Sequence, residues 1–166
     1  VWKLNDRNTL VYRGGGWDWA DWGEHIDMEL IQNAWYYLAL KGTANMAECL
    51  GKKEDATNWS RKMEVFKTAF DKAFWNGKEY RSVAYLGKTD DRGQALAVVA
   101  GLADEAKYPL LFDILKAHEH ASPYMEKYVL EAMFKMGQDV YGLERMKKRF
   151  SPMVHDPENS TLWEVW

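Results

Sequence analysis

A chain of 166 residues with a net charge of -3, 47% hydrophobic and 28% charged, has the length and composition of one globular domain. That composition excludes a disordered chain. The acidic balance excludes nucleic acid as the main partner, because phosphate recognition calls for a basic surface. Cys49 is the single cysteine, which excludes an internal disulfide, and no apolar run reaches the length of a membrane span. No secretory signal pattern is visible, and the first residue is Val rather than Met, so the chain reads as a fragment or a processed product. Nine Trp and nine Tyr are the compositional outlier.

In chain order, Thr9 to Tyr12 reads as a short extended piece leading into Gly14-Gly15-Gly16, a loop whose backbone can approach a neighbour closely. From about Ile26 to Leu50, apolar residues recur at three- and four-residue steps (Leu30, Ile31, Ala34, Trp35, Leu38, Met46, Leu50), which predicts a first helix ending at Gly51. Cys49 falls on this helix and reads as a small buried thiol. A second helix is expected over 54–74, with Trp59, Met63, Phe66, Phe70 and Phe74 on one stripe, followed by a turn at Asn76-Gly77. A third is expected over 92–103 and a fourth over 108–117. Ser122 and Pro123, a natural N-cap and first-turn pair, open a fifth that stops at Gly137. A sixth covers 140–150, where Arg145, Lys147, Lys148 and Arg149 read as a solvated face. The tail from Ser151, with Pro152 and Pro157, reads as a loop. Six helices with short connections imply an all-α chain of three antiparallel hairpins.

The chemistry concentrates at the two ends. Residues 17–27 hold three tryptophans (Trp17, Trp19, Trp22) and four carboxylates (Asp18, Asp21, Glu24, Asp27). The chain closes on Trp163-Glu164-Val165-Trp166. Tryptophan faces suit the apolar C–H face of a sugar ring, and carboxylates suit its hydroxyl rim. Most glycosidases also need two acidic groups, one to protonate the leaving oxygen and one opposite it. A carbohydrate site built from both ends is the reading these residues support. Other chemistries lack their signatures: His25, His118, His120 and His155 show no zinc spacing, and there is no nucleophile elbow or phosphate loop. No metal and no cofactor is expected.

Asp18-Trp19, Gly23-Glu24, Glu29-Leu30-Ile31 and Ala34-Trp35-Tyr36-Tyr37 resemble the catalytic region of alpha-L-rhamnosidases of glycoside hydrolase family 78. The resemblance continues through Ala121-Ser122-Pro123-Tyr124, Tyr128, Leu130-Glu131-Ala132 and Met136-Gly137. It ends in Ser160-Thr161-Leu162-Trp163-Glu164-Val165-Trp166. It implies an (α/α)6 toroid of helical hairpins, of which this chain is about half: a leading loop over 1–24, hairpins over 25–150 and a closing loop over 151–166. It also implies inverting hydrolysis of terminal alpha-L-rhamnosyl residues, in a protein for which a periplasmic or extracellular location is compatible. The remaining helices and β domains of a parent chain would be its partners, and exposed helix faces would make an isolated fragment prone to self-association.

By the same resemblance Glu24 matches the general acid and Glu164 the base. Asp18 and Asp27 match the carboxylates that hold sugar hydroxyls and tune the acid, and Asp21 is a further candidate for that role or for a helix cap. Trp17, Trp19, Trp22, Trp163 and Trp166 are candidate sugar platforms, and Tyr124 and His120 candidates for the same mouth. Arg92, beside Asp90 and Asp91, reads as a structural ion pair. Two alternatives stay open: another six-hairpin glycosidase of different sugar specificity, or a non-catalytic helical module that binds carbohydrate or protein.

Overall fold

The computed structural model describes residues 3–13 and 18–166, so Gly14–Gly16 and Trp17 lie outside the described residues. Six helices follow in order: α1 Met28–Cys49, α2 Lys53–Phe74, α3 Asp91–Ala100, α4 Tyr108–Ala117, α5 Pro123–Lys135 and α6 Asp139–Val154. The local signals explain most boundaries. Asp27 and Asp90 cap α1 and α3 through their own carboxylates, accepting from Leu30 N–H at 3.2 Å and Arg92 N–H at 3.1 Å. Gly101 ends α3 at a φ of 83°, a conformation that costs other residues a Cβ clash. The short extended pieces are isolated antiparallel bridges, Leu4 with Leu10 and Trp75 with Tyr80.

Each odd helix packs on the even helix that follows it, and α1, α3 and α5 also pack side by side. The odd helices form the inner row and α3 is its centre, with every residue from Asp91 to Ala100 buried. Gly93 lets α1 come close: a Cβ there would lie 2.4 Å from Leu30 Cδ2. The α2 stripe does as its spacing predicts. Phe66, Phe70 and Phe74 are buried, with Phe70 in ring contact with Phe66, Phe74 and Tyr80. On α1 Leu30, Ile31 and Ala34 are buried as their spacing predicts, but further on the buried face runs through Tyr37, Leu40, Ala44 and Ala47, leaving Met46 and Leu50 exposed.

Three expectations are corrected. Cys49 is exposed, because it ends α1 on the side away from the core. Arg145 is buried and Arg149 nearly so, since both turn inward from α6 to meet Glu126. The sixth helix does not stop at Phe150 but runs through Pro152 to Val154. An internal proline forfeits one helical hydrogen bond, and packing beyond it holds the last turn: Met153 is buried, and its Sδ accepts from Trp163 N–H at 3.4 Å. No described helix is long and apolar enough to cross a membrane.

One apolar groove of about 780 Å³ remains open between α5 and α6, lined by Leu130, Phe134, Met146, Phe150, Val154 and Leu162 among others.

Phe70→Ala should destabilise the chain by about 3–5 kcal/mol, the usual cost of an emptied aromatic site. Denaturant unfolding checks this; a loss under about 1 kcal/mol would mean the α1–α2 core is not the one described.

Candidate functional site

The N-termini of α1, α3 and α5 lie at one end of the inner row, and the loop 18–27 runs across them. Its anchors are carboxylates. Asp27 N–H donates to Asp90 Oδ2 at 2.8 Å, while Asp27 Oδ2 accepts from Ser82 N–H at 2.7 Å and Oδ1 accepts from the Ser82 hydroxyl. Asp21 Oδ2 accepts from Ser122 N–H at 3.0 Å, and Oδ1 from the Ser122 hydroxyl. The Ser122 side chain therefore reaches across to the loop and makes no cap bond of its own to α5.

Arg92 joins these anchors. Its guanidinium is fully buried and meets Asp90 Oδ1 at 2.7 Å and Asp21 Oδ2 at 3.3 Å. It also donates to three carbonyl oxygens of the loop: Trp22 at 3.4 Å, Glu24 at 2.8 Å and His25 at 2.9 Å. Burial pushes Asp90 up to about 6, against the opposing pull of Arg92 and of the Asp27 N–H. Burial would by itself lower the Arg92 value, but Asp90, Asp91 and Asp21 outweigh it and hold the group above its ordinary range. The expected structural ion pair at Arg92 is present, and it extends to Asp21.

Glu24 stands beyond this clasp with its side chain 91% exposed, its Oε2 4.0 Å from His25 Nε2. Gly23 and His25 on either side of it have φ of 99° and 58°. A histidine there is strained by roughly 1–3 kcal/mol, and such strain concentrates at ligand sites. The His25 ring lies 5.3 Å from that of His120, itself 5.5 Å from His118.

The second acid arrives from the far end of the chain. Glu164 Oε1 accepts from Trp22 Nε1 at 3.2 Å, bringing together the two acid-and-tryptophan segments. Trp19 and Trp22 are exposed and meet edge to face at 5.8 Å; Trp19 also lies 5.4 Å from Tyr124. Trp166 donates from Nε1 to Ala121 O at 2.6 Å and lies under the Arg149 guanidinium at 4.2 Å. Trp163 and Trp166 line a cavity of about 380 Å³ with Glu119, Arg149, Pro152 and Met153. Asp18 Oδ2, His120 Nε2 and Trp163 Nε1 are buried polar atoms without a hydrogen-bond partner among the described residues.

The structure thus gathers Asp18, Trp19, Trp22, Glu24, His120, Tyr124, Trp163, Glu164 and Trp166 around one end of the inner row. Asp21 and Asp27 are placed differently from the expectation that they face sugar hydroxyls: both are buried, with their oxygens engaged by protein donors. Ser82, which holds Asp27, carries no signal in the sequence that marks it out, and Ser122 reads there as a helix cap and not as the partner of Asp21. Among the described residues, no group of three or more His, Cys, Asp or Glu is placed to hold a metal.

Paired helices in an inner and an outer row, with acidic and aromatic loops at one end, define part of a helical-hairpin toroid of the glycosidase type. The chain belongs to the bacterial alpha-L-rhamnosidase six-hairpin glycosidase domain family, whose model matches residues 3–166. Among solved structures it is similar to a rhamnosidase from Klebsiella oxytoca with rhamnose bound, at 18% identity and a TM-score of 0.85 over 98% of this chain and 32% of that one. It is also similar to a GH78 family rhamnosidase of Bacillus sp. GL1, at 19% identity and a TM-score of 0.79 over 98% of this chain and 18% of that one. The chain therefore spans about a third or less of those proteins, and at such identities the likeness is one of fold. A comparison with curated proteins gives no match.

His120 predicts a pH dependence of stability. Burial lowers its pKa below 6.5, with Asp91 pulling the other way and His118, Arg92 and His25 adding to the lowering. In the window between that lowered value and 6.5 the unfolded chain binds more protons, so stability rises with pH there and is lost as pH falls through it. Melting temperature between pH 5 and 7 should fall less steeply on acidification in His120→Gln than in the native chain. Equal slopes would remove His120 as the cause.

Proposed function

We propose that this chain is part of the catalytic domain of a glycoside hydrolase that removes terminal alpha-L-rhamnosyl residues with inversion. Glu24 is the general acid and Glu164 the base that activates water. The observation that carries this reading is the Trp22–Glu164 hydrogen bond at 3.2 Å, which draws the C-terminal acid to the loop that bears Glu24. Family membership and a fold shared with a rhamnose-bound rhamnosidase support the substrate.

The roles divide by exposure. Glu24 and Glu164 are open to solvent and free to meet substrate. Inversion asks for carboxyls about 6.5–9.5 Å apart, with a water between base and sugar. Trp19 and Trp22 offer exposed ring faces for the apolar side of a sugar, with Trp163 and Trp166 completing the wall. Asp18 supplies an oxygen without a donor among the described residues, suited to a sugar hydroxyl. Asp21 and Asp27 act as positioning carboxylates. As the acid, Glu24 delivers a proton to the leaving oxygen, and a bound sugar would cover its exposed carboxyl. Further helices of the parent chain would cover the α5–α6 groove; without them, residues 1–166 would self-associate through it.

In the full-length protein, Glu24→Gln and Glu164→Gln should each lower kcat on an aryl alpha-L-rhamnoside by about 10²–10⁴-fold. NMR should show the product released first as the anomer opposite to that of the substrate. Cleavage of another glycoside but not a rhamnoside would keep the mechanism and replace the sugar. No cleavage across a broad glycoside panel would favour the carbohydrate-binding module.

A further inference from the structure

The five partners of the Arg92 side chain are more than charge balance requires. Asp90 and Asp21 already neutralise it, at 2.7 and 3.3 Å. The remaining donors go to the carbonyls of Trp22, Glu24 and His25, on both sides of and at the candidate acid. We infer that Arg92 is a positioning residue: its guanidinium sets where the carboxyl of Glu24 and the ring of Trp22 stand. This rests on the reading of Glu24 as the acid.

The physical case comes from the loop itself. Gly23 and His25 hold positive φ on either side of Glu24, a backbone uncommon outside glycine that the surroundings have to hold in place. The loop makes no strand pairing among the described residues, so its carbonyls must find donors elsewhere. Arg92 supplies them from one rigid, planar group at the buried start of α3. The two carboxylates that fix the guanidinium are themselves fixed, Asp90 by the N–H of Asp27 ahead of α1 and Asp21 by Ser122 ahead of α5. The acid's backbone is thereby referenced to all three inner helices. Trp22, whose carbonyl is held in the same clasp, carries the hydrogen bond to Glu164. One guanidinium therefore orients both candidate catalytic carboxyls, Glu24 through its own backbone and Glu164 through Trp22.

Lysine keeps the charge but cannot reproduce the planar fork, so Arg92→Lys separates positioning from ion pairing. Asp21→Asn, which loosens the clasp while leaving Asp90 in place, is the milder companion if Arg92→Lys fails to fold. Both are compared with Glu24→Gln in the full-length protein. The first readout is amide hydrogen exchange. The variants should speed exchange in residues 18–27 by at least about tenfold, and by clearly more than in the helices. The second is hydrolysis of aryl alpha-L-rhamnosides of graded leaving-group acidity. A misplaced acid hurts poor leaving groups most, so the kcat loss should be at least about tenfold greater for phenyl than for 2,4-dinitrophenyl rhamnoside, as in Glu24→Gln. Unchanged exchange in 18–27, or equal losses on every leaving group while Glu24→Gln discriminates, overturns the inference. If Glu24→Gln itself fails to discriminate, or no rhamnoside is cleaved, the reading of the acid or the sugar falls. The exchange result then decides the clasp alone.

Discussion

A buried guanidinium sets the terms for everything around it. A charge out of water is tolerable only if paired and fully hydrogen-bonded, so enclosing Arg92 in the centre of the inner row obliges two carboxylates and three carbonyls to surround it. Those groups come from the loop and from the turn before α3, and their own partners reach the starts of α1 and α5. The loop that bears the candidate acid is thus held by charge and hydrogen bonding, beside the packing of Ala20 and Ile26 on the core.

A second buried network steadies the other side of the same end. Arg145 meets Glu126 through two nitrogens, at 2.6 and 2.9 Å, and donates to Leu115 O and His118 O, tying α6, α5 and the end of α4. Arg149 continues it to Ala121 O and to the face of Trp166. Burial pushes Glu126 up, while Arg145 and Arg149 pull it down. The closing Trp-Glu-Val-Trp segment therefore rests on a charged platform that reaches into the interior.

The helices were legible in the sequence because amphipathic period and helix-start residues act locally; the α2 phenylalanine stripe and Pro123 in the first turn of α5 are examples. The run through Pro152 was not, since a buried Met153 and a distant Trp163 outweigh a local breaker. The acid-and-tryptophan clusters were visible as clusters, and Trp22 and Glu164 do meet. Which carboxylates are engaged by the protein was hidden: Asp21 and Asp27 are set apart from Glu24 by Ser82, Ser122 and Arg92, none of them neighbours in sequence. One clue was available. Arg92 opens a helix that is apolar on every face after Gln94, and a helix buried all round must bury its arginine as well.

The Trp22–Glu164 contact spans 142 positions, whereas each helical hairpin closes over a short connection. Contacts between distant positions cost the most chain entropy to form and tend to come late in folding. The hairpins can assemble from their own neighbours, but the Trp22–Glu164 contact exists only after the C-terminal segment has folded back onto the loop. During synthesis most of the helices would therefore be in place before the two acid-and-tryptophan segments meet.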